Sequence, residues 1–179
     1  MKPLNTWSMI ILFVLGGYLG SQTPEMRLIA FELEDQFGNN YSEVNFLDKI
    51  VIIVGSDKKG SQYNEQWSFA LYDSLKSMNC ENDVSFLPVA DLRGVPFFLR
   101  KMIKNKFPKE KNRWILLDWK GVFAESYQFQ SESSNILLLD KSHHMIYQTA
   151  VKELEGDELA RLWSKLKGLL NTHLMRDNM

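Results

Sequence analysis

A continuous β-branched run that ends in a glycine-containing junction constrains the fold of this chain most strongly. Residues 50–54 read Ile-Val-Ile-Ile-Val, and such a run is typical of a strand that is covered on both faces of a sheet. The junction at residues 55–62 follows, and then Trp67, Leu71 and Leu75 recur at helical spacing. A buried strand that leads directly into an amphipathic helix indicates an α/β domain. The junction contains no cysteine, so it cannot carry out thiol chemistry.

The remaining segments extend this α/β pattern. Residues 29–34 and a turn at 35–40 predict a hairpin before the buried strand. Further strands are predicted at 84–89 and 114–117, with a helix at 95–107 that Pro108 ends. Residues 135–139 and 145–147 predict an antiparallel pair. The last helix has an apolar face formed by Leu159, Leu162, Trp163, Leu166, Leu169 and Leu170. The order predicts an α/β domain with a central mixed β-sheet flanked by helices and an N-terminal β-hairpin.

The N-terminus has the pattern of an export signal. Lys2 precedes an apolar stretch at residues 9–19, and the small residues Gly20 and Ser21 follow. As a helix this stretch spans about 17 Å, against about 30 Å of bilayer hydrocarbon. We therefore expect cleavage and a periplasmic or secreted protein, and an uncleaved anchor at residues 4–20 is the alternative. The predicted division is a leader at 1–21, a domain at 22–171 and a C-terminal tail at 172–179.

Composition excludes several classes of function. The formal net charge of −1 gives no overall attraction to nucleic acid. Cys80 is the only cysteine, so no intramolecular disulfide can form. His143 and His144 are adjacent and His173 is distant, which matches no usual spacing of metal ligands. The sequence therefore predicts no metal site and no cofactor.

Several segments, in chain order, are similar to one family. Residues 31–39 are followed by 48–52, Asn64 lies in the first helix, and 114–122 read Trp-Ile-Leu-Leu-Asp-Trp-Lys-Gly-Val. Residues 132–134 are followed by an apolar strand and then by Leu-Asp-Lys at 139–141. Together they resemble the YtfJ type of periplasmic protein, within the TlpA- and peroxiredoxin-like redoxins. The resemblance covers about residues 31–170. It implies a thioredoxin-like fold and a periplasmic location, and it gives no defined activity.

The resemblance also implies that the redox machinery is missing. It places Lys59 and Gln62 where active redoxins have cysteines, and Ser134 where they have a cis-proline. Neither an ammonium nor a carboxamide can replace the activated thiolate that redoxin chemistry needs. We therefore expect a binding module for an unknown protein partner rather than an enzyme. Its expected binding face consists of Ser56, Asp57, Lys58, Lys59, Gly60, Ser61, Gln62, Ser133, Ser134 and Asn135.

Two enzyme alternatives stay open at this stage. One uses Cys80 as a one-cysteine thiol, although a helix C-terminus and the neighbouring acids should raise its pKa. The other uses free amides at the helix start, beside Lys58 and Lys59, to bind a small anion or a phosphate group. The alternative for that helix start is a solvated N-terminus capped by Ser61. A phosphate-binding P-loop is incomplete because serine, not lysine, follows Gly60.

A basic stretch, residues 100–113, is the last notable pattern. Its cations are Arg100, Lys101, Lys104, Lys106, Lys109, Lys111 and Arg113. The interleaved aromatic and aliphatic side chains predict a helix that packs on the sheet with a charged outer face. The alternative is contact with anionic lipid or with an acidic partner. Apart from an uncleaved N-terminus, this is the one segment for which membrane contact is an alternative.

Overall fold

The computed structural model describes residues 26–176, which form two sheets and four α-helices. The elements, in chain order, are β1 (Glu32–Glu34), β2 (Asn40–Ser42), β3 (Ile50–Ser56), α1 (Ser61–Ser77), β4 (Val84–Asp91), α2 (Arg100–Lys104), β5 (Leu116–Asp118), α3 (Val122–Ser126), β6 (Ser134–Leu139), β7 (Met145–Val151) and α4 (Gly156–Arg176). β1 and β2 form the predicted N-terminal hairpin.

The larger sheet has five strands in the order β5-β4-β3-β6-β7. β3 is central, and it pairs parallel to β4 and antiparallel to β6. Every residue of β3 is buried, as a continuous apolar run at the centre of a sheet requires. The carboxyl ends of β3, β4 and β5 lie at the same edge of the sheet because these strands are parallel. The predicted central mixed sheet is therefore confirmed.

One face of the sheet is covered by α1 and α4. α1 places Trp67, Leu71 and Leu75 against the sheet, all with no exposed surface. α4 buries Leu162, Leu166 and Leu170, while Leu159, Trp163 and Leu169 pack against the same cluster at partial burial. The helical spacing of these residues had predicted the buried faces of both helices. Met78 continues the helical spacing of the first helix in the sequence, but it is 40% exposed because α1 ends at Ser77.

The opposite face is covered mainly by the N-terminal segment. Phe31 packs edge-on against Phe123 of α3, at 5.0 Å between ring centroids. Tyr127 donates a hydrogen bond to the Arg27 carbonyl and accepts one from the Ile29 amide, at 3.0 and 2.9 Å. Burial raises the pKa of this tyrosine to about 12. These contacts fix the segment across the sheet before the hairpin begins.

The helix predicted at residues 95–107 is found only in part, and it does not pack on the sheet. The structure has a 3-10 turn at Phe97–Leu99 followed by the short helix α2, and neither contains a buried residue. No residue between 92 and 113 is buried. The segment therefore lies outside both apolar layers. The short helix α3 was not predicted, and Gly121 starts it with a φ of 76°.

The expectations for the two termini are tested only in part. The predicted leader and the alternative anchor at 4–20 lie outside the described residues. Within the described part of the chain, no helix is long and apolar enough to cross a membrane. α4 continues to Arg176, beyond the predicted domain boundary at 171, and the division into a domain and a tail stays a prediction.

Candidate functional site

The candidate site lies where β3 ends, α1 starts and β6 begins. Asp57 joins these elements because its carboxylate accepts two backbone amides. Oδ1 accepts the Gly60 amide at 2.7 Å, and Oδ2 accepts the Glu132 amide at 3.0 Å. The junction is thereby connected to the loop before β6, across a sequence separation of 75 residues. The structure brings together the two segments, 56–62 and 132–135, that the resemblance had placed on one face.

Gly60 closes the junction against this loop. It is the residue that precedes α1, with a φ of −69° and a ψ of −24°. A β-carbon at this position would lie 2.2 Å from the Ser133 carbonyl oxygen and 2.7 Å from its carbonyl carbon. Such distances are far below van der Waals contact, and the obstacle is backbone, which cannot rotate away. No side chain, including that of a cysteine, fits at position 60 in this arrangement.

Asn135 holds the loop from the sheet side. Its Nδ2 lies 3.2 Å from the Gly55 carbonyl, 3.0 Å from the Gln130 carbonyl and 3.3 Å from the Ser133 carbonyl. Its Oδ1 accepts the Gln130 amide at 2.7 Å. The side chain is 1% exposed, so these bonds are made away from water. The loop is therefore fixed by a buried carboxamide and a junction carboxylate.

Only part of the predicted face is accessible. Lys58, Lys59, Ser61 and Gln62 are exposed, and Glu132 is exposed opposite them. The buried members of the predicted face are Ser56, Gly60, Ser133, Ser134 and Asn135. Buried side chains can shape the face but cannot contact a partner directly.

An ion pair crosses the exposed part of the face. The Lys59 ammonium contacts the Glu132 carboxylate, and their side chains are 70% and 50% exposed. The hydrogen bond to Glu132 raises the pKa of Lys59. An exposed pair of this kind contributes little to folding and can be broken by a competing charge. Glu132 belongs to the segment 132–135 that the resemblance had placed on this face, and it is the exposed residue of that segment.

The start of α1 does not have the cap that the sequence predicted. The Ser61 hydroxyl donates to the Lys58 carbonyl at 2.8 Å instead of accepting an amide of the helix. The Ser61 amide donates to the Asp57 carbonyl at 3.0 Å, and the Tyr63 amide to the Gly60 carbonyl at 2.9 Å. An external anion at this helix start would therefore compete with Asp57, whose negative charge already lies there.

A polar cluster lies under α1, directly behind the junction. The Asn64 side chain donates to the Ser56 hydroxyl at 2.8 Å. Three buried atoms on this side have no hydrogen-bond partner: Asn64 Oδ1, Trp67 Nε1 and Ser134 Oγ. Ser134 has no exposed surface, so the position that the resemblance equated with a cis-proline faces the interior rather than a ligand. Among the described residues there is no cis peptide bond.

A polar cavity of about 290 Å³ lies on the other side of Asn135. Its lining is formed by Gln128, Gln130, Asn135, Gln148, Thr149 and Ala150. β7, which contributes the last three, is an edge strand of the sheet. Carboxamides both donate and accept hydrogen bonds, as does a polypeptide backbone.

The residues considered for other chemistry lie elsewhere. Cys80 follows the far end of α1, about 25 Å from the junction by the rise of a helix. Burial raises the pKa of its thiol, and Asp83 and Glu81 raise it further. His143 contacts the Phe46 carbonyl at 2.8 Å. Within the described residues, no group of three or more His, Cys, Asp or Glu side chains could hold a metal ion.

Comparisons with known proteins give structural matches only. No protein-family model matches the chain. No curated protein matches it in sequence. The exposed lipoprotein thioredoxin Etrx1 of Streptococcus pneumoniae has a TM-score of 0.56 and 21% identity, and the match covers 78% of this chain and 99% of that one. The chain has the thioredoxin-like fold.

Two other thioredoxin-like structures show the same architecture. A putative thiol:disulfide interchange protein DsbE from Chlorobium tepidum has a TM-score of 0.58 and 14% identity over 82% of this chain and 96% of that one. The Sco-family cytochrome c oxidase assembly protein BsSco has a TM-score of 0.54 and 12% identity over 80% and 93%. These identities establish the fold alone. The predicted thioredoxin-like fold class is confirmed.

Proposed function

We propose that this protein is an exported thioredoxin-like binding module of the YtfJ type, without thiol–disulfide activity. Its partner is an extended segment of another protein that docks on the exposed face formed by Lys58, Lys59, Ser61, Gln62 and Glu132. The observation that carries the proposal is the closed junction. No cysteine lies in it, and Gly60 packs directly on the Ser133 backbone. The two positions at which the resemblance places the redox cysteines carry Lys59 and Gln62 instead.

The rest of the face supports a binding role. Asp57 and Asn135 hold the loop before β6 rigidly, so little ordering would be needed on binding. The Lys59–Glu132 pair offers both charges at the surface. The polar cavity beside Asn135 presents further carboxamides, which suit a backbone ligand. The proposed export is supported by the leader-like N-terminus and by the description of Etrx1 as an exposed lipoprotein.

Charge reversal at the ion pair tests the docking face. We expect Lys59→Glu and Glu132→Lys each to reduce the crosslinking of a partner by roughly tenfold, because like charges across an interface are unfavourable. The measurement is crosslinking with the full chain in its native compartment, followed by mass spectrometry of the crosslinked peptides. Both side chains are exposed, so the fold should be unaffected.

Matched control variants are Lys49→Glu and Glu32→Lys. Both are exposed charges, and Lys49 directly precedes β3, at the opposite end of the strand from the junction. We expect the controls to keep the crosslinked partner at the level of the unmodified chain. An identical partner list for all four variants would contradict the docking face. Ser134→Arg is unsuitable as a test because it places a charge in the core.

Cys80→Ala tests the absence of thiol chemistry. The raised pKa of Cys80 keeps the thiol protonated at neutral pH, and the protonated form is a poor nucleophile. We expect neither the unmodified chain nor Cys80→Ala to exceed the uncatalysed rate of insulin reduction or peroxide consumption. Activity in the unmodified chain that Cys80→Ala abolishes would establish the one-cysteine enzyme instead. Phosphate- or sulfate-dependent shifts at residues 60–62 in an NMR titration would favour the anion-binding alternative.

A further inference from the structure

The segment between β4 and β5 exposes aromatic side chains that the core does not use. Phe97 is 82% exposed and Phe98 is 79% exposed, and Met102 of α2 is 49% exposed beside them. Burying a phenylalanine side chain stabilises a protein by about 1.5–3 kcal/mol. Two exposed phenylalanine rings therefore forgo a substantial free energy of burial. Large apolar side chains exposed at neighbouring positions of one short segment mark a contact surface.

The patch is held outward rather than left free to fold back. The Arg100 guanidinium lies 5.6 Å from the centroid of the Phe97 ring and 4.9 Å from that of Trp119. Pro96 precedes Phe97 in the extended conformation, with a φ of −59° and a ψ of 144°. The cation–π contact therefore fixes Phe97 against Arg100 while most of its surface stays in water.

Free cations follow the patch along the chain. Lys104 pairs with Glu34 and Arg113 pairs with Glu65. Four other lysines of the stretch have no ion pair or hydrogen bond with any side chain that the structure describes, and all are exposed. They are Lys101, Lys106, Lys109 and Lys111. The segment thus combines protruding aromatic rings with positive charges that the protein itself does not neutralise.

We propose that residues 97–111 form a docking surface for an anionic lipid membrane. Phe97 and Phe98 insert at the boundary between headgroups and acyl chains, and the four free lysines contact the anionic headgroups. Charge complementarity favours this occupant. The apolar part is small, since two phenylalanines and one methionine offer roughly 500 Å² at most, and it suits shallow insertion at the headgroup boundary.

The proposed lipid-docking surface lies close to the proposed protein-docking face. Residues 92–99 leave β4 at its carboxyl end, the edge of the sheet at which β3 runs into the junction. Arg113 pairs with Glu65 in the second turn of α1. The lipid-facing surface therefore adjoins the proposed docking face for protein, although the two are independent and either can exist without the other.

Lysine footprinting on vesicles tests this proposal with the full chain. The vesicles are phosphatidylcholine alone, or phosphatidylcholine with about 30 mol % phosphatidylglycerol, and acetylation of each lysine is followed by mass spectrometry. On the anionic vesicles only, we expect labelling of Lys101, Lys106, Lys109 and Lys111 to slow by at least about fivefold. A control set of exposed lysines outside the surface should label equally on both vesicles: Lys49, Lys76, Lys152 and Lys165. This readout is independent of any contribution of residues 1–25 to vesicle binding.

Two variants separate insertion from simple charge attraction. Phe97→Ser with Phe98→Ser should abolish the protection, whereas Phe69→Ser, at a 56% exposed ring of α1, should leave it unchanged. Far-UV circular dichroism confirms that each variant is folded. Equal labelling on the two vesicle types would overturn the proposal. Protection by soluble polyglutamate without protection by anionic vesicles would also overturn it, and would assign the surface to an acidic polypeptide.

Discussion

Replacing Gly60 by alanine is expected to lower the free energy of unfolding by about 3 kcal/mol, the upper end of the usual cost of overpacking. The new methyl group would lie 2.2 Å from the Ser133 carbonyl oxygen, so the start of α1 and the loop before β6 would have to separate. The backbone angles of Gly60 suit any residue. The loss therefore measures the contact and not the conformational freedom of glycine. Urea denaturation at neutral pH gives the value.

Gly168→Ala is the matched control for Gly60→Ala. It is the same chemical change, in α4, where none of the described residues lies within 4 Å of the added β-carbon. We expect it to stabilise the protein by about 0.5–1 kcal/mol, because alanine is the better helix former. If Gly60→Ala also proved neutral or stabilising, the junction would be open in solution. The closed junction that underlies the proposed function would then be wrong.

Replacing Asn135 by aspartate is expected to cost about 3–5 kcal/mol at pH 7. The change keeps the size and one acceptor oxygen, but it turns the Nδ2 donor into an oxygen that faces three carbonyl groups. Burial and these carbonyls disfavour the charged form, so the new carboxyl should have a folded-state pKa above its unfolded value of about 3.9. The measurement is the difference in free energy of unfolding from the unmodified chain.

The cost of Asn135→Asp should depend on pH with a defined sign. A group whose folded-state pKa is raised loses stability as the pH rises above the unfolded pKa. The cost should therefore be smaller at pH 4, where the protonated carboxyl can donate one hydrogen bond, and should grow towards pH 7. Asn112→Asp, at an exposed position, should change the free energy of unfolding by no more than about 0.5 kcal/mol at either pH. An equal loss of stability for Asn135→Asp at pH 4 and pH 7 would show that the three carbonyl groups around this side chain do not cause the loss.

The sheet and its main helices could be predicted because each has a strong local pattern. The apolar run at residues 50–54 indicated a central strand, and the helical spacing of Trp67, Leu71 and Leu75 indicated the face of α1. The site could be predicted only as two segments. The contact of Gly60 with Ser133 and the bond of Asp57 to Glu132 join residues more than 70 positions apart, and no local pattern records such a pairing.

The basic stretch shows the limit of periodicity more directly. Phe97, Phe98 and Met102 suggested a helix that packs on the sheet. Periodicity identifies an apolar face, but it does not identify what covers that face. In the fold, α1 and α4 fill one side of the sheet, and the N-terminal segment and α3 fill the other. No room is left for a further core helix. The aromatic residues are exposed because the space that they would occupy is already taken.

The N-terminal segment has a consequence for the order of folding. Arg27 forms a bridge with His144 beside β7, and Asp35 forms one with Leu116 of β5, so a single segment reaches both outer strands of the sheet. Its partners lie more than 80 residues further along the chain. During synthesis this segment emerges early but can dock only after residue 144 has been made. Closure of the sheet is then a late, high-contact-order event, and the chain stays open to chaperones until nearly all of it has been synthesised.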